Sequence, residues 1–417
     1  MADHDLLVLE QLSPLRRLSR ELHWSFVLAV VAVYGACLGV GNAVGGVAAG
    51  YYWKDVQRVQ PSAAQFYQGV TDAPWVVKPL WGLLTDVVPI AGYRRRPYFV
   101  LAGVVGVSSM LMLSLHRGLG IMPALLALTA QSAGAAIADV TVDALVHKKF
   151  YKAIQSMGTT LKCPEVWRPC VYMFVSHNLS LDIQGGMFYW YTDPVVGPGF
   201  SEGFISLIYA IGSVGSLLGV LLYQSALKDY PFRSILLWGQ VLSSLAGMLD
   251  LVLVTRLNLK IGIPDYFFAM IDNSISQMVG RLKWLPLLVL CSKLCSPGIE
   301  GTFYTLLMSL QNAGLLMSAW WGGLLLHMLS VNRMEFSNLW IAVLIRNISR
   351  LVPLTLLFLV PQSDQKSTLL PADMLDGDTT DAVKAGSVEF SVLVQEDSGV
   401  SPNMVAMDDR TRIDPAG

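Results

Sequence analysis

The chain has 417 residues, 53% of them hydrophobic and only 14% charged, with 29 Lys and Arg against 30 Asp and Glu. Soluble domains carry about 25% charged residues, so this chain lacks the side chains to cover a water-facing surface, and its mean hydropathy of +0.51 points to lipid as its solvent. A formal net charge of −1 leaves no basic surplus to neutralise phosphates, which excludes nucleic acid as a partner.

Residues 1–23 are polar and of mixed charge, and are read as a cytoplasmic N-terminus. Asp3, Asp5 and Glu10 argue against a plastid or mitochondrial transit peptide, which would be poor in acids. A helix needs about 20 apolar residues to cross the hydrocarbon core. By that criterion ten spans are predicted, roughly 25–50, 65–90, 97–115, 121–146, 170–191, 203–223, 233–254, 265–294, 301–328 and 337–360. The eighth is interrupted by Asp272, Arg281 and Lys283. The expected fold class is all-α, a polytopic membrane helical bundle.

Lys and Arg collect in alternate loops. Arg16, Arg17 and Arg20 precede span one, Arg94, Arg95 and Arg96 follow span two, and Lys148, Lys149, Lys152 and Lys162 follow span four. These loops fall on one side, predicted to be cytoplasmic with both termini. The basic, amphipathic segment 147–169 reads as a surface-lying linker. It divides an N-terminal half, 24–146 with four spans, from a C-terminal half, 170–361 with six. Residues 362–417 turn to Asp, Ser, Thr and Gly and read as a disordered acidic cytoplasmic tail.

Ionisable residues inside spans are costly and mark cavities, pairs or ion paths. Asp139 and Asp143 in AIADVTVDALV lie four residues apart and share one helical face. Two such carboxylates resist joint ionisation, so one retains a proton that it can release near neutral pH; this is a candidate proton-coupling pair. The alternative has Asp143 meeting Lys148 or Lys149. In span two, Lys78 either pairs with Asp139 or binds an anionic substrate. Pro74 and Pro79 loosen this helix and free backbone groups to line a cavity. Asp182 stands beside Gly185 and Gly186, ahead of Phe188, Tyr189 and Trp190. That aromatic run either stacks a flat ring or forms an interfacial belt. Arg281 and Lys283 suit a substrate bearing carboxylates.

Repeated G-x-x-x-G spacings, Gly215 and Gly219 among them, report close helix packing. Five cysteines at spacings that match no zinc signature read as small hydrophobes. No catalytic, metal-binding or phosphate-binding motif occurs. An enzyme is therefore not expected, and neither a metal nor a cofactor is implied.

Between spans two and three, GLLTDVVPIAGYRRRPYF (82–99) resembles the cytoplasmic loop motif of the major facilitator superfamily. Asp86, Arg94, Arg95 and Arg96 would then act as a conformational switch, pairing in one closed state. Longer stretches narrow the match, among them KPLWGLLTD, LKCPEVWRPCVYM, GMFYWYTD, GRLKWLPLLVL and SPGIEGTFYTLLMSLQNAG. Together they resemble the folate-biopterin transporter family, especially its plant members, from about Trp24 to Pro361. The resemblance implies proton-driven symport of folates or pterins, with Lys78, Asp182, Arg281 and Lys283 as candidate substrate-binding residues. It also implies twelve spans. Here Val146 runs directly into HKKFYKAIQ, so the pair corresponding to spans five and six is expected to be missing. Two alternatives follow: a shortened, transport-inactive isoform that regulates a full-length partner, or a transporter of another organic anion.

Overall fold

A computed structural model describes residues 41–90, 92–93, 96–116, 118–143, 160–295 and 300–362. The predicted N-terminus, most of the linker and nearly all of the tail lie outside these residues, as do Arg94 and Arg95. Asp86, Arg96 and Asp143 lie in helices, but their side chains are outside the description.

The helices are α1 (Gly41–Tyr51), α2 (Pro61–Val76), α3 (Lys78–Val87), α4 (Arg96–Leu115), α5 (Ile121–Asp143), α6 (Pro164–Asn178), α7 (Gln184–Tyr191), α8 (Glu202–Leu222), α9 (Phe232–Val254), α10 (Asp265–Lys293), α11 (Glu300–Met328) and α12 (Leu339–Ser349), the last continued by a 3-10 helix, Val352–Leu359. The chain is an all-α polytopic membrane protein. Among the described residues, five helical stretches are long and apolar enough to cross a membrane: α4, α5, α8, α9 and Leu339–Leu359. On α4 the side chains of Val100, Val104, Val107 and Leu111 are all exposed. Their spacing of three and four residues puts them on one face, as a lipid-facing stripe requires.

Several starts follow from local chemistry. Pro61 opens α2, where its missing N–H would have had no partner anyway. Ser201 caps α8 by accepting from the Phe204 N–H at 3.3 Å, and Glu202 in the first turn complements the helix dipole.

Two predicted spans are discontinuous. Span two divides at Val77 into α2 and α3. Pro79 has no N–H to give the Trp75 carbonyl, and Asn312 of α11 donates to that carbonyl instead, at 3.1 Å. Span five starts earlier than predicted, at Pro164, and divides between Asn178 and Gln184. Leu181 takes a left-handed φ of 42° in this break. Span eight, despite its charges, is the unbroken 29-residue α10.

The most extensive packing joins α8 to α10, then α2 to α11, then α4 to α5. Glycines permit it. A Cβ on Gly215 would lie 2.2 Å from the Ser274 carbonyl oxygen, and one on Gly219 2.6 Å from that of Met278. The expected packing role of that G-x-x-x-G pair is thus met on α10. A large core around Trp53, Phe188, Trp190, Phe200 and Leu326 draws on helices from both ends of the chain.

Candidate functional site

The break before α7 is fixed from three sides. The Asp182 N–H donates to the Ser318 side chain on α11 at 3.0 Å. The Asp182 carboxylate accepts from the Gln184 N–H at 2.9 Å, and Gln65 of α2 accepts from the Gly185 N–H at 2.6 Å. Two of the N–H groups that a helix start leaves unpaired are therefore satisfied by side chains. Gly322 of α11 presses on the break so closely that a Cβ there would lie 1.7 Å from the Asp182 carbonyl oxygen.

Around this break lie three adjoining cavities. The first, of about 490 Å³, has walls from α1 and α2 on one side and from α7 and α8 on the other. Trp53, Phe188 and Tyr189 give it aromatic faces, while Asp72 and Asp182 give it carboxylates. The second, of about 450 Å³, shares Asp72, Asp182 and Gln184 with the first, and adds Trp75, Asn312, Arg346 and Arg350. The third, of about 230 Å³, shares Gln184, Arg346 and Arg350 with the second and adds Asp250 and Asp272. Gln184 lines all three, and its side-chain amide donates to the Tyr209 hydroxyl at 2.8 Å.

The polar groups change along this space, from carboxylates without guanidinium groups in the first cavity to carboxylates and guanidinium groups together in the second and third. Hydrogen-bond acceptors dominate at the aromatic end, where Gln68 donates to Asp72 at 3.1 Å. Guanidinium groups occupy the other end. Arg346 pairs with Asp250 at 2.6 Å, and Arg350 donates to the Ser243 carbonyl at 3.2 Å. The buried Asp272 Oδ1 and Arg346 Nε make no hydrogen bond among the described residues. Both residues line the third cavity.

Lys78 pairs with Asp139, joining the start of α3 to α5 with both side chains buried. The pair stands behind the cavity wall. The Lys78 ammonium lies 5.5 Å from the centre of the Trp75 ring, and Trp75 itself lines the second cavity. Of the two roles weighed for Lys78, this geometry matches the ion pair. Asp182 lines the first two cavities. Arg281 is exposed, donates to Ser216 at 2.5 Å and lies over the Trp284 ring at 5.3 Å. Lys283 packs against Gly239, one turn beyond Gly280 of the third cavity. Neither cation is among the cavity-lining residues. Sequence reasoning did not single out Gln184, Tyr209 or Arg350. For Arg350 a signal existed: it follows Arg346 by four residues, one turn along the same face.

The sequence pattern of the BT1 family matches residues 38–155 and 147–374. The chain belongs to the BT1 family. This BT1 chain is 47% identical to "Probable folate-biopterin transporter 2" of Arabidopsis thaliana, with 88% of each chain covered. It is 44% identical to "Probable folate-biopterin transporter 5" of the same plant, over 91% of this chain and 92% of that one. It is 30% identical to the "Folate-biopterin transporter" of Synechocystis sp., over 84% and 86%. All three are named as transporters and none as an enzyme; that this BT1 chain is not an enzyme rests on that kinship.

The first of these alignments runs over 441 positions but takes in 88% of this chain, about 367 of its 417 residues. About 74 positions of that relative therefore face no residue here. The two matches to the family pattern meet at 147–155, the junction at which two spans are expected to be missing.

Proposed function

We propose that this chain is a secondary active transporter of the major facilitator type that carries folates or pterins across a membrane by proton symport. The observation that carries this reading is the run of cavities between helices from the two ends of the chain, with aromatic rings and carboxylates in the first and the guanidinium groups of Arg346 and Arg350 added in the second and third. A pterin presents a flat ring whose amino and ring N–H groups suit carboxylate acceptors such as Asp72 and Asp182. The glutamate carboxylates of a folate suit Arg346 and Arg350, whose planar donors can grip a carboxylate at two points. Lys283 and Arg281, both on α10, are the further cations proposed for the substrate. The names of the relatives support the same substrate class.

For the proton, Asp139 with Asp143 is the proposed coupling pair. Protonating Asp139 would release Lys78 behind Trp75 and so alter the wall of the second cavity. Asp86 with Arg94, Arg95 and Arg96 is the proposed switch on the cytoplasmic side, with both termini on that side and lipid around the bundle. The test is uptake of labelled folate and of biopterin into vesicles holding the chain, with and without an inward proton gradient. Gradient-dependent uptake that a protonophore abolishes is expected. Uptake indifferent to the gradient would remove the symport claim while leaving the substrate claim in place.

A second reading, a transport-inactive isoform that regulates a full-length partner, is favoured by the roughly 74 positions of the relative without a counterpart here. Correct membrane insertion with no uptake of either substrate decides for it. Competition by unrelated anions tests the remaining reading, a different organic-anion substrate.

A further inference from the structure

Helix pairings repeat along the chain. Among the N-terminal helices, the second span (α2) packs on the fourth (α5), and the third (α4) packs on the fourth. Among the C-terminal helices, the second (α8) packs on the fourth (α10), and the third (α9) packs on the fourth. Transporters built from two parallel repeats are related by a two-fold axis along the membrane normal. Under that operation every contact between repeats has a mate. The main contact between the two sets joins the second span of the first (α2) to the fifth of the second (α11). Its mate would join the second span of the second set, α8, to a fifth span of the first, the span expected to be missing here.

Among the described residues, the face that such a helix would cover is exposed. Between α1 and α8 runs a groove of about 890 Å³. On α8 it is floored by Gly203, Ser206, Ala210 and Ser213, all exposed and spaced by three and four residues, the small-residue spacing that lets helix backbones approach. The glycines of α8 that meet α10 lie on another face. The floor from Gly203 to Ser213 extends about 15 Å at 1.5 Å per residue. Asp55 and Glu202 stand among its lining residues, so a helix with a basic residue at that end is favoured.

We propose that the α1–α8 groove is a seat for one membrane-spanning helix, and that its occupant is the fifth-span helix of a BT1-family segment supplied by a separate polypeptide. Tyr209 lines both the groove and the first cavity, so the occupant also closes the flank of the cavity toward lipid. The inference rests on family membership and the missing pair, not on proton coupling; a chain that fails to move folate leaves it intact.

The test uses the whole chain, co-expressed with a tagged polypeptide carrying the segment of the 47%-identical Arabidopsis relative that falls opposite the junction at 147–155. Spanning helices insert individually and then associate, so the segment is a usable probe. Co-purification is expected. Ala210→Trp and Ser206→Trp, each filling the groove from an exposed position, should reduce it at least about tenfold, equivalent to about 1.4 kcal/mol. Val104→Trp on the lipid face of α4 should leave it unchanged. The same segment inserted between Val146 and His147 should occupy the groove from within and prevent capture of the tagged copy. No co-purification, equal loss in groove and control variants, or undiminished capture by the restored chain overturns the proposal. So does self-association of the chain alone that Ala210→Trp abolishes, because a second copy would then fill the groove.

Discussion

Lys78 and Asp139 are each other's counter-charge in a place with almost no water: their side chains are 6% and 7% exposed. Removing one partner of a buried ion pair costs about 3–5 kcal/mol, whereas replacing both with apolar groups is often close to neutral. Lys78→Met and Asp139→Leu should therefore each lower the melting temperature in detergent, and the double variant should recover most of the loss. A double variant as unstable as the worse single one would mean that the pair does not hold α3 to α5.

Coupling is a separate matter from stability. Asp139→Asn keeps the shape of the side chain but cannot exchange a proton, and Asp143→Asn does the same one turn on. Both variants should abolish gradient-driven folate uptake in vesicles while still reaching the membrane. Normal uptake at every pH by both would remove this pair from the proton path.

The two ends of the cavity should discriminate between substrates. Arg350→Gln removes a guanidinium from the end proposed to meet glutamate carboxylates, so folate uptake should fall about tenfold, equivalent to about 1.4 kcal/mol. Biopterin has no glutamate, and its uptake should stay within about twofold. Asp72→Asn, at the aromatic end, should depress both. Equal losses of folate and biopterin in Arg350→Gln would contradict the assignment of the ends.

Glycines at close and open sites should respond with opposite signs. Gly322→Ala places a methyl group 1.7 Å from the Asp182 carbonyl oxygen, and forcing such atoms apart costs about 1–3 kcal/mol. Gly103→Ala meets nothing within 4 Å, and gains up to about 1 kcal/mol of helix propensity. Thermal unfolding of the two variants should move in opposite directions.

Much of this fold was legible because lipid imposes a simple rule: long apolar stretches are helices. The charges in α10 looked like an interruption, yet Asp272 faces a polar cavity and the helix continues past it. The break at Leu181 was not legible as a break. Its cause lies on α11, where Ser318 and Gly322 grip Asp182 from across the bundle, and no local pattern in span five announces a partner more than 130 residues away. The same limit explains Lys78. Its two possible roles differ only in whether α5 brings Asp139 to it. Arg350 sits near the end of an apolar run, where a cation is ordinarily an interfacial anchor; that the turn following α12 places it at the second and third cavities is a tertiary fact.

The seam between α2 and α11 has a mechanical meaning. Gly69 lies under the Trp320 indole, where a Cβ would come within 2.6 Å, and Gly323 lies 3.0 Å from the Ser62 carbonyl oxygen by the same measure. The Trp320 indole seated on Gly69 also stacks on Phe66, and Asn312 donates to the Trp75 carbonyl across the same seam, so bare backbone here serves to interlock the two helices. The break before α7 fastens to both helices, Asp182 to Ser318 of α11 and Gly185 to Gln65 of α2. A displacement of one helix along the other would first have to unseat that indole and break those hydrogen bonds, which makes the seam a clasp and the α7 break its third strand.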